Sequence, residues 1–171
     1  VSLHLKRDPT VDTDGTLAGS TISHEYFNYV HHSLTVSNNN QSGSMSEDWV
    51  DIDGWMESVR KEDQLVPGND LWQGAYPGAP YVLGNYYYGI RRAPYSTDLT
   101  KNAFTFKHIA EGEPTPNGGD GTGNSEVHSS GEIWANQMFN CYAGILNNGE
   151  HTFEEARSAM QDYIIGGLKM T

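Results

Sequence analysis

His24 and Glu25 stand side by side in a segment whose apolar residues recur at helical spacing. Residues four apart share one face of a helix, so two histidines at that spacing can bind one metal ion, while a glutamate after the first reaches the metal-bound water. Here the residue four after His24 is Asn28. Its neutral carbonyl oxygen is a poorer zinc ligand than imidazole. The spacing alone leaves two interpretations open: a metal site that activates water with one weakened ligand, or an incidental His-Glu pair on a helix surface.

Two further histidines follow on the same predicted helix, His31 and His32. At a rise of ~1.5 Å per residue they lie about 10 to 12 Å beyond His24 along the axis. Imidazole ligands must approach a zinc ion to about 2.0 to 2.1 Å, so neither histidine can join His24 on one metal. We expect both to be polar residues near the helix C-terminus, where positive charge is favourable.

The elements that must position these residues are predicted mainly as helices. A first helix is expected over 21–34, capped by Ser20 or Thr21, and a second over 45–61. The apolar faces predicted for the two helices consist of Ile22, Tyr26, Phe27, Val30 and Leu34 for the first, and Trp49, Ile52, Trp55, Met56 and Val59 for the second.

The rest of the chain divides into loops and two more helices. Prolines, glycines and aromatic residues over 62–95 favour an ordered loop region, with a short strand at 86–88. Residues 111–125 have the composition of a surface loop. Helices are predicted over 129–147 and 152–167, the last one opened by a Thr152 and Glu155 capping box. The sequence thus predicts a single domain over 1–171, mainly α with long ordered loops and little β-sheet.

The composition of the chain disfavours some classes of binding partner. The 171 residues carry a formal net charge of −12, which disfavours binding to nucleic acid and to membrane surfaces. No apolar run approaches the ~18 residues that span a bilayer. Many Gly, Asn and Ser residues and few lysines are typical of secreted proteins. The lone cysteine, Cys141, lies in an apolar pattern and is expected to be buried.

Four segments, in the same order along the chain, resemble the fungalysin family of secreted zinc metallopeptidases, relatives of thermolysin. The family has an Asp-Gly-rich lead-in to His-Glu-Tyr-x-His, a Gly-Gly-Met-Gly-Glu-Gly-Trp-Ser-Asp segment, a segment between its two helical parts and a Val-His-x-x-Gly-Glu-x-Trp-Ala segment. The matching segments of this chain are 14–17 with 24–26, 43–51, 89–98 with 105–109, and 126–136.

The resemblance implies a role for each matched residue. It makes His24, Asn28 and Glu47 the zinc ligands and Glu25 the general base. Asp51 would orient His24, as a ligating imidazole needs an acceptor for its other N–H. His128 would stabilise the oxyanion.

The resemblance also implies an architecture and a cellular setting. The architecture is the active-site helix and the helical lobe of a thermolysin-like fold, acting outside the cell on peptides or proteins. The chain has about half the length of the family's catalytic domain, so a partner segment or chain is expected to complete the missing lobe. Calcium has only weak support, from residues 12–15 and the loop around Asp120, which lack the ligand spacing of an EF-hand.

The chain departs from the family pattern at several positions. Asn28 replaces the second histidine, Ser46 and Asp48 replace glycines beside Glu47, and Val50 replaces serine. Because zinc catalytic sites normally have three protein ligands, two functions stay open. One is a metalloendopeptidase with an activity impaired by Asn28. The alternative is a catalytically inactive, peptidase-derived structural, adhesive or peptide-binding module.

Overall fold

The computed structural model describes residues 6–7, 12–13, 17–35, 39–117 and 122–170. Two short strands, β1 (Lys6–Arg7) and β2 (Asp12–Thr13), pair antiparallel with Lys6 opposite Thr13. They precede α1 (Gly19–Leu34) and α2 (Asn40–Ser58). A 3₁₀ turn at Lys61–Leu65, the one-turn α3 (Pro80–Leu83) and a 3₁₀ turn at Phe106–Ile109 punctuate the long middle loops. The chain continues with α4 (Val127–Asn147) and α5 (Phe153–Leu168).

This architecture confirms a mainly α fold with little sheet. The Asp14 to Thr16 part of the family lead-in and the loop around Asp120 lie outside the described residues, so neither the lead-in match nor the calcium interpretation is tested there. No helix among the described ranges is long and apolar enough to cross a membrane.

Helix α2 is the centre of the hydrophobic core. Trp55 is 1% exposed, and its ring packs edge-on against Phe139 and stacks on Tyr142, both from α4, at centroid distances of 5.4 and 5.6 Å. Aromatic pairs at these distances add to the stabilisation from area burial alone. Buried side chains of α5 and of the middle loops complete this core, namely Ala156, Met160, Ile164, Leu168, Trp72, Tyr76 and Tyr95.

Glycines allow close backbone approach at two points in the fold. A Cβ atom on Gly131 of α4 would lie 2.4 Å from Oδ1 of Asp48 and 3.0 Å from the carbonyl oxygen of Ser44, so glycine permits α4 to approach α2. Gly89 has a φ of +65°, and a Cβ there would lie 1.8 Å from the carbonyl oxygen of Gly78. The loop that follows α3 is folded back on itself by that contact.

The apolar face predicted for α1 is not the face that is buried. Ile22, Tyr26 and Leu34 are 46%, 64% and 43% exposed, and the buried residues of the helix are Phe27 and His31. Helical spacing identifies residues that share a face, but it does not say which face packs. Here the face with His24, Phe27 and His31 is turned to α2. His31 lies in the last turn of the helix as expected, but it is buried against α2.

Other local predictions also need correction. Helix α2 begins at Asn40, five residues before the expected start, because Asn39 forms a capping box with Ser42. The N-cap of α1 is Ala18, not Ser20 or Thr21. Residues 86–88 form a turn instead of a strand, with all three tyrosines exposed. Cys141 is exposed, since it lies on α4 away from the buried Phe139 and Tyr142.

Helices α4 and α5 agree with the prediction. Glu155 accepts hydrogen bonds from Thr152, and Thr152 caps the Glu155 N–H, which is the expected capping box. Gly149, with a φ of +74°, forms the turn between the two helices.

Candidate active site

Helix α1 presents His24 toward the central helix. Asn28 stands one helical turn after His24 and is half-buried. The orientation of α1 is fixed on the same face one turn later, where Nδ1 of the buried His31 lies 3.0 Å from Oγ of Ser46 on α2. A buried polar pair of this kind needs both partners in place, so it sets the rotation of α1 relative to α2.

Helix α2 brings two carboxylates to His24. Nε2 of His24 lies 3.4 Å from Oε2 of Glu47, and Nδ1 donates to Oδ1 of Asp51 at 3.1 Å. Glu47 and Asp51 are one turn apart and so face the same side of α2. Both ring nitrogens of His24 are therefore directed at carboxylates, one of them deeply buried.

Asp51 is held by residues that lie far away in the sequence. The guanidinium of Arg91 donates from Nε to Oδ2 at 2.7 Å and from Nη2 to Oδ1 at 2.8 Å, which is a bidentate pair. The hydroxyl of Tyr95 donates to Oδ2 as well. The carboxylate of Asp51 is thus saturated, and its position beneath His24 is fixed.

The charges of this cluster depend on one another. Burial by itself would lower the pKa of His24, but the hydrogen bonds to Asp51 and Glu47 outweigh it and raise the pKa to about 9. Burial would raise the pKa of Asp51, but the Arg91 guanidinium holds it well below its usual range. Partial burial would likewise raise the pKa of Glu47, but hydrogen bonds from the histidines at positions 128 and 24 lower it to about 2. Both acids are therefore ionised near neutral pH.

The start of α4 contributes His128. Its Nε2 lies 3.3 Å from Oε2 of Glu47, and its Nδ1 donates to Glu126 at 2.7 Å. These hydrogen bonds raise the pKa of His128 although its partial burial opposes the shift. Glu126 also caps α4 by accepting from the backbone N–H groups of His128 and Ser129. The side chain of His128 is half exposed, so it faces Glu47 from the solvent side.

A cavity of about 220 Å³ opens at this cluster. Glu25 lines it together with His24, Asp51, Arg91 and His128. The structure therefore gathers Glu25, His24 and His128 around one cavity, with Glu47 in contact with both histidines.

The family model for fungalysin metallopeptidases (M36) matches residues 2–170. The chain belongs to this family.

Relatives with this family's activity in their names match most of the chain. It is 29% identical over 133 residues to the extracellular metalloproteinase mep of Aspergillus terreus, a match that covers 74% of this chain and 18% of the relative. It is 28% identical over 139 residues to the extracellular metalloproteinase MEP of Pyricularia oryzae, covering 76% and 18%. Against extracellular metalloproteinase 10 of Coccidioides posadasii the identity is 25% over 135 residues, covering 74% and 18%. The matched region is thus less than a fifth of each relative.

Membership in a zinc-dependent family raises the question whether these residues fit the ion. Two ligands of a tetrahedral zinc, each about 2.1 Å from the metal, are about 3.4 Å apart. His24 Nε2 and Glu47 Oε2 have this separation. The described residues contain no group of three His, Cys, Asp or Glu side chains suited to a metal. The residues present therefore offer two zinc donors at ligand spacing, His24 and Glu47.

Sequence reasoning assigned no role to three residues of this cluster. Arg91 and Tyr95 were included in a matched segment, yet nothing in it indicated a partner 40 or more residues away. Glu126 had a usable signal, because it stands just before a predicted helix, where a carboxylate can cap the exposed N–H groups. Its bond to the His128 ring follows from that same position.

Proposed function

We propose that this chain is a zinc metalloendopeptidase domain that hydrolyses peptide bonds through a metal-activated water, with an activity reduced by Asn28. One observation carries the proposal: His24 Nε2 and Glu47 Oε2 lie 3.4 Å apart, at ligand spacing, while the other nitrogen of His24 is bonded to the buried Asp51. A ligating imidazole with a carboxylate on its second N–H is typical of zinc sites in proteins.

In this proposal His24, Glu47 and Asn28 hold the metal. A zinc ion bound there would polarise the substrate carbonyl and acidify its bound water. Glu25, on the wall of the same cavity, accepts a proton from the attacking water and delivers it to the leaving amine. His128 donates a hydrogen bond from Nε2 to the oxygen on which negative charge develops. Its raised pKa keeps that proton available near neutral pH.

Arg91 and Asp51 act as positioning residues. Asp51 holds Nδ1 of His24 protonated, so that Nε2 is the nitrogen left for the metal. Arg91 prevents Asp51 from being an uncompensated buried charge. Neither residue needs to touch the substrate for this role.

We further propose that the domain acts outside the cell on peptide or protein substrates. The support is its similarity to fungal proteins that are named extracellular metalloproteinases.

The alternative is an inactive, peptidase-derived binding module. The observation that favours it is the ligand set, in which only two strong ligands lie together among the described residues. An amide oxygen is a weaker third ligand for a borderline-soft ion than an imidazole would be.

Elemental analysis of protein isolated without chelators separates the two functions. We expect close to one zinc per chain, and hydrolysis of an unstructured protein substrate that Glu25→Gln abolishes without unfolding the domain. Glu62→Gln, the same change at an exposed position, is the matched control and should keep the activity. Absence of zinc even after incubation with an excess of the ion would favour the binding module. Hydrolysis that survives Glu25→Gln would refute the assigned general base.

A further inference from the structure

Arg92 follows Arg91 directly in the chain, but its side chain binds a different part of the fold. The guanidinium of Arg91 pairs with Asp51 of α2. Nε of Arg92 instead donates to Oε1 of Glu132 on α4, and the backbone N–H of Arg92 donates to the other oxygen, Oε2, at 2.9 Å. Arg92 and Glu132 are both buried, at 6% and 5% exposure. The steps of the proposed hydrolysis make no use of this second ion pair.

The remaining donors of the Arg92 guanidinium bind the chain at the start of α4. Nη1 donates to Oδ1 of Asn124, in the turn before the helix, at 3.2 Å. Nη2 donates to the backbone carbonyl of Ser129, in the first turn of α4. The central carbon of the guanidinium lies over the ring of Phe104, 4.6 Å from its centroid. A planar fork with several separate acceptors and a ring against its face has one orientation, so it fixes these segments relative to one another.

His128 lies between the residues that Arg92 holds. It is the second residue of α4, directly before Ser129 and one turn before Glu132. The first turn of a helix is weakly held, because its N–H groups lack partners within the helix. Arg92 therefore secures the backbone from which the His128 ring reaches Glu47, where Nε2 and Oε2 are 3.3 Å apart.

We propose that Arg92 is a positioning residue for His128, a role that rests on the proposed hydrolysis. Arg91 holds the metal half of the site through Asp51, and Arg92 holds the oxyanion half through the start of α4. Because the two arginines are joined by one peptide bond, a single short segment sets the distance between the two halves. Arg92 is buried and is not among the residues that line the active-site cavity. It acts by placing Nε2 of His128 where negative charge develops.

The first test replaces the guanidinium by an ammonium group in the whole zinc-loaded chain, with labelled casein as the substrate. Arg92→Lys keeps a positive charge beside Glu132, but one ammonium cannot reach Asn124 and Ser129 as well. We expect kcat to fall about tenfold or more. KM and zinc content should change by less than about twofold, because His128 acts on charge that develops in the transition state. A change confined to KM would refute the proposal.

A double-variant comparison separates positioning of His128 from a general structural role. In a chain that already carries His128→Ala, Arg92→Lys should lower the remaining kcat by less than about twofold. A further loss as large as in the unmodified chain would show that Arg92 does not act through His128. Ile164→Val, which removes a buried methylene group from α5, is the control for lost stability and should leave kcat unchanged.

Phe104→Leu takes the place of Arg92→Lys if that variant does not fold. It keeps every charge of the network and an apolar side chain in the core, and it removes only the ring that lies against the guanidinium. We expect kcat to fall several-fold, and this loss to disappear in the presence of His128→Ala. An unchanged kcat in Phe104→Leu would then overturn the proposal.

Nuclear magnetic resonance distinguishes failure of this proposal from failure of the proposed function, because it needs no hydrolysis. The ring C–H resonances of His128, assigned by their loss in His128→Ala, are recorded at one pH without metal. Arg92→Lys should shift or broaden them and leave those of the exposed His151 unchanged. If the unmodified chain binds no zinc and hydrolyses nothing, the proposed function fails, while altered His128 resonances still support the positioning of this ring. Unaltered His128 resonances would overturn the proposal in an active and in an inactive chain alike.

Discussion

Helices α1 and α2 both carry residues of the candidate active site, but they are supported very differently. In α1 the described side chains that are buried belong to Phe27 and His31, whereas ten of the 19 residues of α2 are buried. Helix α2 is held on several sides by α4, α5 and the middle loops. Helix α1 is held through the face that it shares with α2.

The candidate site is therefore stabilised mainly by α2. The ionised acids Glu47 and Asp51 lie on the well-packed helix, and Asp51 is fixed by Arg91 and Tyr95. On α1, His24 depends on those acids for its orientation and charge. A change such as Asn28 on α1 can therefore weaken the chemistry while leaving the network of α2 intact.

The largest expected effect on stability comes from removing the Arg91 guanidinium, which pairs with Asp51 of α2. Arg91→Met would leave Asp51 buried without its guanidinium partner, and we expect the free energy of unfolding to fall by about 3 to 5 kcal/mol. Urea denaturation measures this change. The control is Lys107→Met, which removes an exposed pair with Glu113 and should cost less than about 1 kcal/mol. Equal losses in the two variants would show that Asp51 is not supported as described.

Two isoleucines, one on each helix, should contribute very differently to the free energy of unfolding. Ile52 of α2 is 0% exposed, so Ile52→Ala should lower the free energy of unfolding by about 2 to 5 kcal/mol. Ile22 of α1 is 46% exposed, and Ile22→Ala should change it by less than about 0.5 kcal/mol. Thermal or urea unfolding distinguishes these values. A large loss in Ile22→Ala would mean that the apolar stripe of α1 is buried after all.

These two isoleucines also show what can be read from the sequence. Both lie in clear helical patterns, and both helices exist because helical spacing is a local signal, although α2 begins five residues before its expected start. The pattern around Ile52 gave the buried face correctly, while the pattern around Ile22 did not. The packing direction of α1 depends on the polar contacts of His24 and His31 with α2, and hydrophobic periodicity carries no information about such contacts.

In the candidate site, too, the sequence identifies individual residues but not their long-range contacts. The family motifs named His24, Glu47 and Asp51, and the structure brings them together. The support of Asp51 by Arg91 and Tyr95 joins residues 40 and 44 positions apart, across loops without periodicity. Such contacts are set by the tertiary fold, so a single sequence does not reveal them.

A smaller effect on the free energy of unfolding is expected from a rise in pH, because the pKa of His24 on α1 depends on the acids of α2. Its pKa of about 9 in the folded protein lies above the usual 6.5, since the bonds to Asp51 and Glu47 outweigh burial. The charged imidazole therefore stabilises the fold fully below about pH 6.5, and this contribution is lost as the pH rises through about 9. With chelator present, we expect a loss of about 3 kcal/mol in the free energy of unfolding.

Urea denaturation from about pH 6 to about pH 10 measures this loss. His24→Gln should remove most of the pH dependence in that range. His151→Gln, which changes an exposed histidine outside the site, should retain it. If the two variants behave alike, the charge of His24 is not coupled to the acids of α2.

The smallest effect in free energy is the restoration of an imidazole on α1. Asn28→His places a second histidine one turn after His24, on the face turned to Glu47, and it should tighten zinc binding about tenfold or more, because imidazole is a better zinc ligand than an amide. Competition with a chromophoric chelator measures the affinity.

Tyr29→His adds a histidine at the adjacent position, where the side chain is 68% exposed and points away from the site, so it should leave the affinity unchanged. An equal gain in both variants would indicate only adventitious binding by an added histidine, and no gain in either would mean that α1 does not direct residue 28 toward Glu47. A gain confined to Asn28→His would show that α2 still presents its half of the metal site and that the loss is local to one side chain of α1.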